Sequence, residues 1–459
     1  MNVRVLRIEL KRSIAPWAGA VVLTSALAFL YLVNAAWWRG TTAWTAQWTS
    51  MALWTRALLD YLWPLAVGLG ALQGLRDHRS KISELLTTTA RPAWHRAATL
   101  AGTTAITLAS AFALLVLVCA VQVLPNTEYA HLGWLPISLV GALSLVAGAV
   151  LGMGAGRALP SALTPPGLAM GAFVFTSLLR LSTESAAATT SVANRVSLLS
   201  PAVAQVREVL LTLSASVHLG QTIWLLGMAA TGFALLAAAT PRARLIALTP
   251  VLAGAVIALL VLPSDPRRTY VVDEAAAELV CDGPVCVTTA HQARLADLAG
   301  PGREALRLLH DALGGQAPVS VRENTAVLPD GSTPQWSRET VLFDFDDAII
   351  AAAEGEELTW ALIARGMVPG CAPVGWSSFG NDDIAQTVAV GWVLGDLRSL
   401  PRTGAASLRR EVDAKAGPVW TDLKALPRAE QLSRINAMRA AALSCKGDAF
   451  DTLNGGASR

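Results

Sequence analysis

Residues 97–124 read AATLAGTTAITLASAFALLVLVCAVQVL, a stretch without a single acidic or basic side chain. About twenty mostly apolar residues are enough for an α-helix to cross the hydrocarbon core of a bilayer, and this stretch is longer. A helix that is apolar on all sides has no face for water, so it is stable only inside a large core or in lipid. The stretch therefore predicts a membrane-spanning helix.

Similar stretches precede and follow it, and hydrophobic residues make up 53% of the chain, more than is usual for a soluble domain. The apolar runs stop near Pro263, beyond which the composition is that of a soluble domain. Seven spans are predicted, at 14–37, 58–75, 97–124, 132–154, 163–181, 219–239 and 245–263. The expected fold is a polytopic α-helical membrane protein with about 7 transmembrane helices in 1–263, followed by a C-terminal extracytoplasmic α+β domain in 264–459.

Lys and Arg residues occur in alternate predicted loops, which places those loops in the cytoplasm by the positive-inside rule. They are Arg4, Arg7, Lys11 and Arg12 before the first span, Arg76, Arg79, Lys81, Arg91 and Arg96 after the second, Arg157 after the fourth, and Arg242 and Arg244 after the sixth. Arg267 and Arg268 oppose this orientation but are outweighed. With seven spans the N-terminus is inside and 264–459 is outside, in a multi-pass plasma-membrane protein. Residues 2–12 form either an amphipathic surface helix or a plain basic flank.

Cysteine positions agree with an external C-terminal domain. Cys119 lies inside a predicted span, whereas the other four, an even number, lie beyond the last one: Cys281, Cys286, Cys371 and Cys445. An even number in an oxidising compartment indicates disulfides. A turn between Cys281 and Cys286 favours pairing these two, which leaves Cys371 with Cys445, although other pairings remain open. Their spacing is poor for zinc, with no nearby pair of histidines.

The soluble part has strand patterns at 270–272, 279–289, 319–321 and 340–345 and helical patterns at 301–313, 347–365, 382–397, 407–416 and 428–443. Polar residues close to the spans are read as interfacial. Arg56 lies among many tryptophans, Asp60 lies at the edge of the second span, and Arg180 is expected to extend its side chain to the membrane surface. The polar segment 183–218 is read as an external loop with a helix at 202–213.

Between the second and third spans lies a charged insert at 76–92, in which Ile82, Leu85 and Leu86 fall on one helical face. Glu84 is the acidic residue in its centre, and Pro92 ends the segment because proline cannot continue a helix. Such a helix can rest on the cytosolic surface and contact a soluble partner. The alternative is a solvated loop with charges set by the positive-inside rule.

The insert and the spans around it resemble the ABC-2 type ABC transporter permeases. Glu84, Leu85 and Leu86 match the family's Glu-Leu-Leu core, and Thr89, Pro92 and Arg96 loosely match the turn that follows. The resemblance covers about 1–263 and departs from the family in the seventh span and the long external tail. It implies a coupling helix at about 76–92 that contacts a nucleotide-binding subunit. The implied contact residues are Arg79, Lys81, Ile82, Glu84, Leu85, Leu86, Arg91 and Pro92. For 183–218 the resemblance offers an alternative to the simple loop, since the family has short external re-entrant helices before its last core span.

The function expected from the resemblance is that of the membrane-spanning subunit of an exporter, driven by ATP that a separate P-loop ATPase subunit hydrolyses. Two permease chains, identical or different, would form the transporter in the lipid bilayer. The alternatives are a polytopic anchor for an extracellular binding or sensory domain, and an ion- or proton-coupled carrier, which the lack of carboxylates inside the spans disfavours.

Several function classes lack their sequence signatures. The chain has no G-x-x-x-x-G-K-[S/T] loop for ATP phosphates, so no cofactor is expected in this chain and ATP with Mg²⁺ would bind to the partner. It has neither an H-E-x-x-H zinc motif nor a G-x-S-x-G nucleophile motif, so no enzyme activity is expected. No basic patch with interleaved aromatic residues is present, so nucleic acid is not an expected partner.

Overall fold

The computed structural model describes residues 14–33, 43–79, 92–184, 193–202, 209–328, 331–374, 380–402 and 406–455. Within it the chain divides into two compact units, Met1–Val272 and Asp273–Arg459. The first unit is built almost entirely of helices, and the second combines a small sheet with helices.

The helices of the first unit follow the apolar stretches of the sequence. Their bounds are α1 Ala15–Ala28, continued by a π-helix at Phe29–Val33, α2 Trp48–Ala57, α3 Leu59–Gly74, α4 Arg76–Arg79, α5 Ala93–Val123, α6 Trp134–Ala158, α7 Thr164–Glu184, α8 Asn194–Ser197, α9 Ala215–Ala237, α10 Pro241–Ile246 and α11 Thr249–Val261.

Among the described residues, five helical segments are long and apolar enough to cross a membrane: Ala15–Leu32, Ala93–Val123, Trp134–Ala158, Ala215–Ala237 and Pro241–Val261. The chain is thus a helical protein with several membrane-spanning candidates. The other two predicted spans form α3 and α7, which are helices but are not among these five. α3 has 16 residues and is about 24 Å long, less than the ~30 Å hydrocarbon core of a bilayer.

α3, α6 and α9 pack through their backbones. A Cβ atom on Gly70 or Gly74 of α3 would collide with the backbone of α6, and one on Gly152 of α6 would collide with the carbonyl of Val67. Gly232 of α9 is equally close to the backbone of α6. Small residues let membrane helices approach this closely, which strengthens van der Waals contact between them. The three helices therefore form the tightly packed centre of the first unit.

The first unit also contains a two-stranded antiparallel sheet of β1, Leu211–Leu213, and β2, Tyr270–Val272. The prediction of a helix over 202–213 is wrong at its end, because Leu211–Leu213 is a strand. Hydrogen bonds to a strand distant in sequence outweigh the local helical pattern here. The same pairing places Tyr270–Val272 with the first unit.

The second unit contains a four-stranded sheet in the order β3-β4-β5-β6. β3 pairs antiparallel with β4, whereas β4, β5 and β6 are parallel. The bounds in this unit are α12 Glu274–Ala277, β3 Leu279–Asp282, β4 Val285–Thr288, a 3₁₀-helix Thr289–Arg294, α13 Leu295–Leu313, β5 Ser320–Glu323, β6 Thr340–Phe343, α14 Ala348–Ala351, α15 Glu356–Met367, α16 Asn381–Leu394, α17 Ala406–Ala425, α18 Arg428–Ser444 and α19 Ala449–Leu453.

Two disulfides join the four cysteines of the second unit. Cys281 is bonded to Cys286, its partner across β3 and β4. Cys371 is bonded to Cys445, which follows the end of α18. The two residues are 74 positions apart in the sequence. Both are pairs that the sequence predicted, Cys281 with Cys286 from the turn between them and Cys371 with Cys445 by elimination. Cys119 is a buried free thiol.

Candidate functional site

The predicted coupling segment lies largely outside the described residues. Lys81, Ile82, Glu84, Leu85, Leu86 and Arg91 are in the part of the chain, 80–91, that the structure does not describe. The flanks are described: Arg79 is the last residue of α4, and Pro92 directly precedes α5. The structure therefore shows the helices that enter and leave this segment. The predicted surface helix at 2–12 is also outside the described residues.

A buried polar network in the first unit centres on Arg56 of α2, whose side chain is fully buried. Its Nε and Nη2 atoms donate hydrogen bonds to the carbonyl of Pro201 at 3.1 and 2.8 Å. Nη2 also donates to Oε1 of Gln221 at 2.8 Å, and Nη1 donates to the carbonyl of Ile137 at 3.2 Å. Arg56 thus joins α2, α6, α9 and the 198–201 segment. The packing of these elements encloses the Arg56 side chain, a burial that the sequence did not indicate.

Side chains of α9 hold the same segment. The Nε2 atom of Gln221 donates to the carbonyls of Leu198 and Ser200 at 3.0 and 3.1 Å. The indole N–H of Trp224 donates to the carbonyl of Leu199 at 3.1 Å. Four consecutive carbonyls, from 198 to 201, therefore accept hydrogen bonds from side chains rather than from a regular element. The conformation of the segment depends on these three donor residues.

Asn194, at the start of α8, joins this region to the residues after α11. Its Nδ2 atom donates to the carbonyl of Pro263 at 2.9 Å and to the hydroxyl of Thr269 at 3.2 Å. The backbone N–H of Ser214 donates to the carbonyl of Thr269 at 3.0 Å. Together with the β1–β2 pairing, these bonds fix the chain that follows the last apolar helix against the 194–201 region.

A second polar contact links α3 to α7. The Nη1 atom of Arg180 lies 2.9 Å from Oδ2 of Asp60, and the Asp60 side chain is only 4% exposed. The sequence did not indicate this pair: the carboxylate of Asp60 is buried, whereas the side chain of Arg180 is 41% exposed. A half-buried arginine on one helix compensates a buried carboxylate on its neighbour, which is the usual condition for burying a charge.

An aromatic row lies beside this ion pair. Tyr61, next to Asp60 in α3, stacks on Phe29 of the π-helix with ring centroids 4.8 Å apart. Phe173 of α7 also packs against Tyr61, with ring centroids 6.4 Å apart. The row joins the first apolar helix, α3 and α7 at the level of the ion pair. It extends the contacts between these helices beyond their aliphatic packing.

Several buried polar atoms around Arg56 have no hydrogen-bond partner among the described residues: the hydroxyls of Ser138 and Ser200 and Nδ1 of His218. Ser138 and Ser200 adjoin the two residues, Ile137 and Pro201, whose carbonyls bind Arg56. Buried polar groups are usually paired, so unpaired ones call for an explanation such as a ligand or a second conformation.

The second unit has its own buried polar cluster at the carboxyl ends of β4 and β5. Glu323, the last residue of β5, accepts hydrogen bonds from the backbone N–H and the hydroxyl of Thr288 at 2.7 and 2.8 Å. Its other oxygen lies 2.6 Å from Nδ1 of His291. The ring of His291 packs edge-on against Phe345. The backbone N–H of Thr288 can only donate, here to Oε2, and Nδ1 of His291 donates to Oε1 in the tautomer that carries a proton there.

Sequence reasoning did not find Arg56, Gln221 or the pair of Glu323 and His291. Each of these residues stands outside any recognisable sequence motif. Its role depends on partners that are distant in the chain. No group of three or more metal-ligating side chains was found among the described residues.

No known protein family model, curated protein or solved structure matches the chain.

Proposed function

We propose that the chain is the membrane-spanning subunit of an ATP-driven exporter, whose ATP is hydrolysed by a separate nucleotide-binding subunit. The proposal starts from the resemblance of the 76–92 insert to a coupling helix, with Glu84 at its centre. The partner would bind this insert from the cytoplasm, and two permease chains would form one transporter. The second unit would act on the exterior.

The observation that carries the proposal furthest is the backbone contact of α3 with α6. α3 leads directly into the predicted coupling segment at 76–92, whose first residues form α4. Gly70 and Gly74 bring the backbone of α3 against Ala149 and Met153 of α6. Helices in such close contact cannot slide past one another without losing it, so a displacement of the segment would move both helices.

The same contacts continue to the other end of the bundle. α6 is in backbone contact with α9 at Gly232, and α9 carries Gln221 and Trp224, which hold the 198–201 segment. Arg56 holds this segment from α2. A contiguous series of packed elements therefore links the end of α3, beside the predicted coupling segment, to the Arg56 network, and a movement of the segment would be transmitted along it.

Asp60 bears on the rival proposal of an ion-coupled carrier. It is a carboxylate buried among the helices, the kind of residue that such a carrier needs. However, Arg180 already pairs with it at 2.9 Å, so its charge is compensated without a transported cation. This pairing favours a structural role for Asp60.

Co-purification tests the proposal. The chain, expressed with its neighbouring genes and extracted in mild detergent, should bring down a P-loop ATPase in stoichiometric amount. Glu84→Lys should reduce the recovered ATPase about tenfold or more, because it places a like charge against a basic partner surface. Glu128→Lys is the matched control: it makes the same charge change at an exposed residue in the loop between α5 and α6, and it should leave recovery unchanged.

Two results would contradict the exporter proposal. One is a chain that purifies without any ATPase. The other is equal ATPase recovery from the Glu84→Lys and Glu128→Lys variants. The first would favour a membrane anchor for the second unit.

A further inference from the structure

The Nε and Nη2 atoms of Arg56 form the edge of the guanidinium group that is best suited to bind an oxyanion, yet both donate to a single backbone carbonyl. The Nε and Nη2 atoms carry two parallel N–H donors, whose spacing matches the two oxygens of a carboxylate or phosphate. In the structure both donate to one neutral oxygen, the carbonyl of Pro201, at 3.1 and 2.8 Å. The edge that best recognises an oxyanion is therefore occupied by a single uncharged atom.

The charge of Arg56 is not compensated by a carboxylate in the described part of the chain. Its four hydrogen bonds go to the carbonyls of Pro201 and Ile137 and to the amide oxygen of Gln221. A buried cation is ordinarily paired with an anion, because removing a charge from water is costly. An anionic group brought to this position would supply the missing charge.

Two buried hydroxyls belong to residues next in sequence to those whose carbonyls bind Arg56. The hydroxyls of Ser138 and Ser200 are buried without hydrogen-bond partners among the described residues. Each adjoins in sequence a residue whose carbonyl binds Arg56, namely Ile137 or Pro201. Buried polar groups are usually paired, so these two hydroxyls mark the hydrogen bonding in the region around Arg56 as incomplete.

We propose that the Nε–Nη2 edge of Arg56 binds a carboxylate or phosphate group of the transported molecule, and that the carbonyl of Pro201 occupies this site when the molecule is absent. This inference rests on the proposed transport function and names its substrate class, an oxyanion-bearing compound. Binding of the oxyanion displaces Pro201 and loosens the 198–201 segment. Gln221 and Trp224 then hold the segment only through the carbonyls of residues 198–200.

The displacement is measured by the reactivity of a cysteine at Ser200. Ser200 is 5% exposed, so a cysteine there reacts slowly with a charged maleimide while the segment is in place. The full chain carries Ser200→Cys together with Cys119→Ala, which removes the buried free thiol. Ser161→Cys in the same background is the control for the reagent, because Ser161 is exposed and outside the network.

Three conditions at equal ionic strength separate the sources of the oxyanion. They are maltoside micelles with chloride only, the same micelles with inorganic phosphate, and mixed micelles with phosphatidylglycerol. We expect labelling at 200 to accelerate about tenfold in a condition that supplies the anion. Acceleration by inorganic phosphate indicates a free small anion, and acceleration by phosphatidylglycerol alone indicates a lipid-linked one. Labelling at 161 should be the same throughout.

Arg56→Lys tests the geometry, since lysine keeps the charge but lacks the two-donor edge. In this variant the anion should accelerate labelling at 200 less than twofold. Equal labelling rates in all three conditions with Arg56 intact would overturn the proposal, even if the lysine variant did not fold. A full response in Arg56→Lys would overturn it as well.

The labelling experiment uses the chain without an ATPase. A negative labelling result can therefore be told apart from a negative co-purification result. Equal rates combined with ATPase recovery would leave an exporter whose substrate binds elsewhere. An anion response without any ATPase would leave the binding site and remove its transport role.

Discussion

Glu323 and His291 lie 2.6 Å apart between Oε1 and Nδ1, where two parallel strands of the second unit end. Both side chains are nearly fully buried. Thr288 donates two further hydrogen bonds to the same carboxylate, so Glu323 is the common acceptor of three donors. The relationship fixes the end of β4, the following 3₁₀-helix and the end of β5 against one another.

Replacing Glu323 by Gln should destabilise the second unit by about 2–4 kcal/mol, because the amide brings two donors to a site that already contains three and removes the negative charge. The measurement is the apparent melting temperature of the full chain in detergent, followed by tryptophan fluorescence. Glu278→Gln makes the same chemical change at an exposed position and should have little effect. Equal melting temperatures for the two variants would refute a stabilising role for the cluster.

Replacing Gly152 by Ala should destabilise the packing of α3 against α6 by about 1–3 kcal/mol. The added methyl group would meet the carbonyl of Val67, a backbone atom that cannot rotate away. Gly171→Ala in α7 is the control, since its methyl group would meet nothing within 4 Å. Thermal unfolding in detergent is the readout, and a Gly152→Ala variant as stable as the control would contradict the backbone contact.

The pair of Asp60 and Arg180 should respond asymmetrically to substitution. Arg180→Met leaves a carboxylate that is 4% exposed without its partner, and we expect a loss of about 2–3 kcal/mol. Asp60→Asn leaves an arginine that is 41% exposed and can be solvated, so the loss should be about 1 kcal/mol. The double variant should be close to Asp60→Asn alone. A double-mutant cycle on unfolding free energies measures this, and strictly additive losses would show that the pair is not coupled.

Asp382, near the start of α16, provides a test by pH. Burial raises the pKa of its carboxyl group, partly opposed by the N–H of Cys371, which donates to it at 3.4 Å. Because the folded-state pKa lies above the unfolded value of about 4, the stabilising contribution is complete below that value and is lost as pH rises through the folded pKa. Asp382→Asn should therefore melt at a higher temperature than the parent at pH 7 and at the same temperature below about pH 4.

Melting curves of the parent and Asp382→Asn across this pH range decide the point. A variant that is less stable at pH 7 would show that the attraction of the helix N-terminus for the ionised carboxylate exceeds the effect of burial.

The sequence by itself determined that the chain has several helices apolar enough for a membrane, because hydropathy over about twenty residues is a local property. It also favoured the pairing of Cys281 with Cys286, since a short turn brings the two together. It indicated the strands around that turn and most of the helices after Asp346, although the single helix predicted at 347–365 is two helices, α14 and α15.

Only the tertiary structure decided the roles of the polar residues. The partner of Asp60 is 120 residues away, and Arg56 and Gln221 are 165 residues apart. Nothing in the flanking sequence distinguishes a buried arginine from an interfacial one, because burial depends on which helices pack over it. The strand at Leu211–Leu213 has the same origin: its hydrogen bonds are made to Tyr270–Val272, so a local helical pattern could not reveal it. A charge pair or a strand pair needs two segments of the chain to be in contact. Which segments are in contact is determined by the tertiary packing and not by the sequence around either residue.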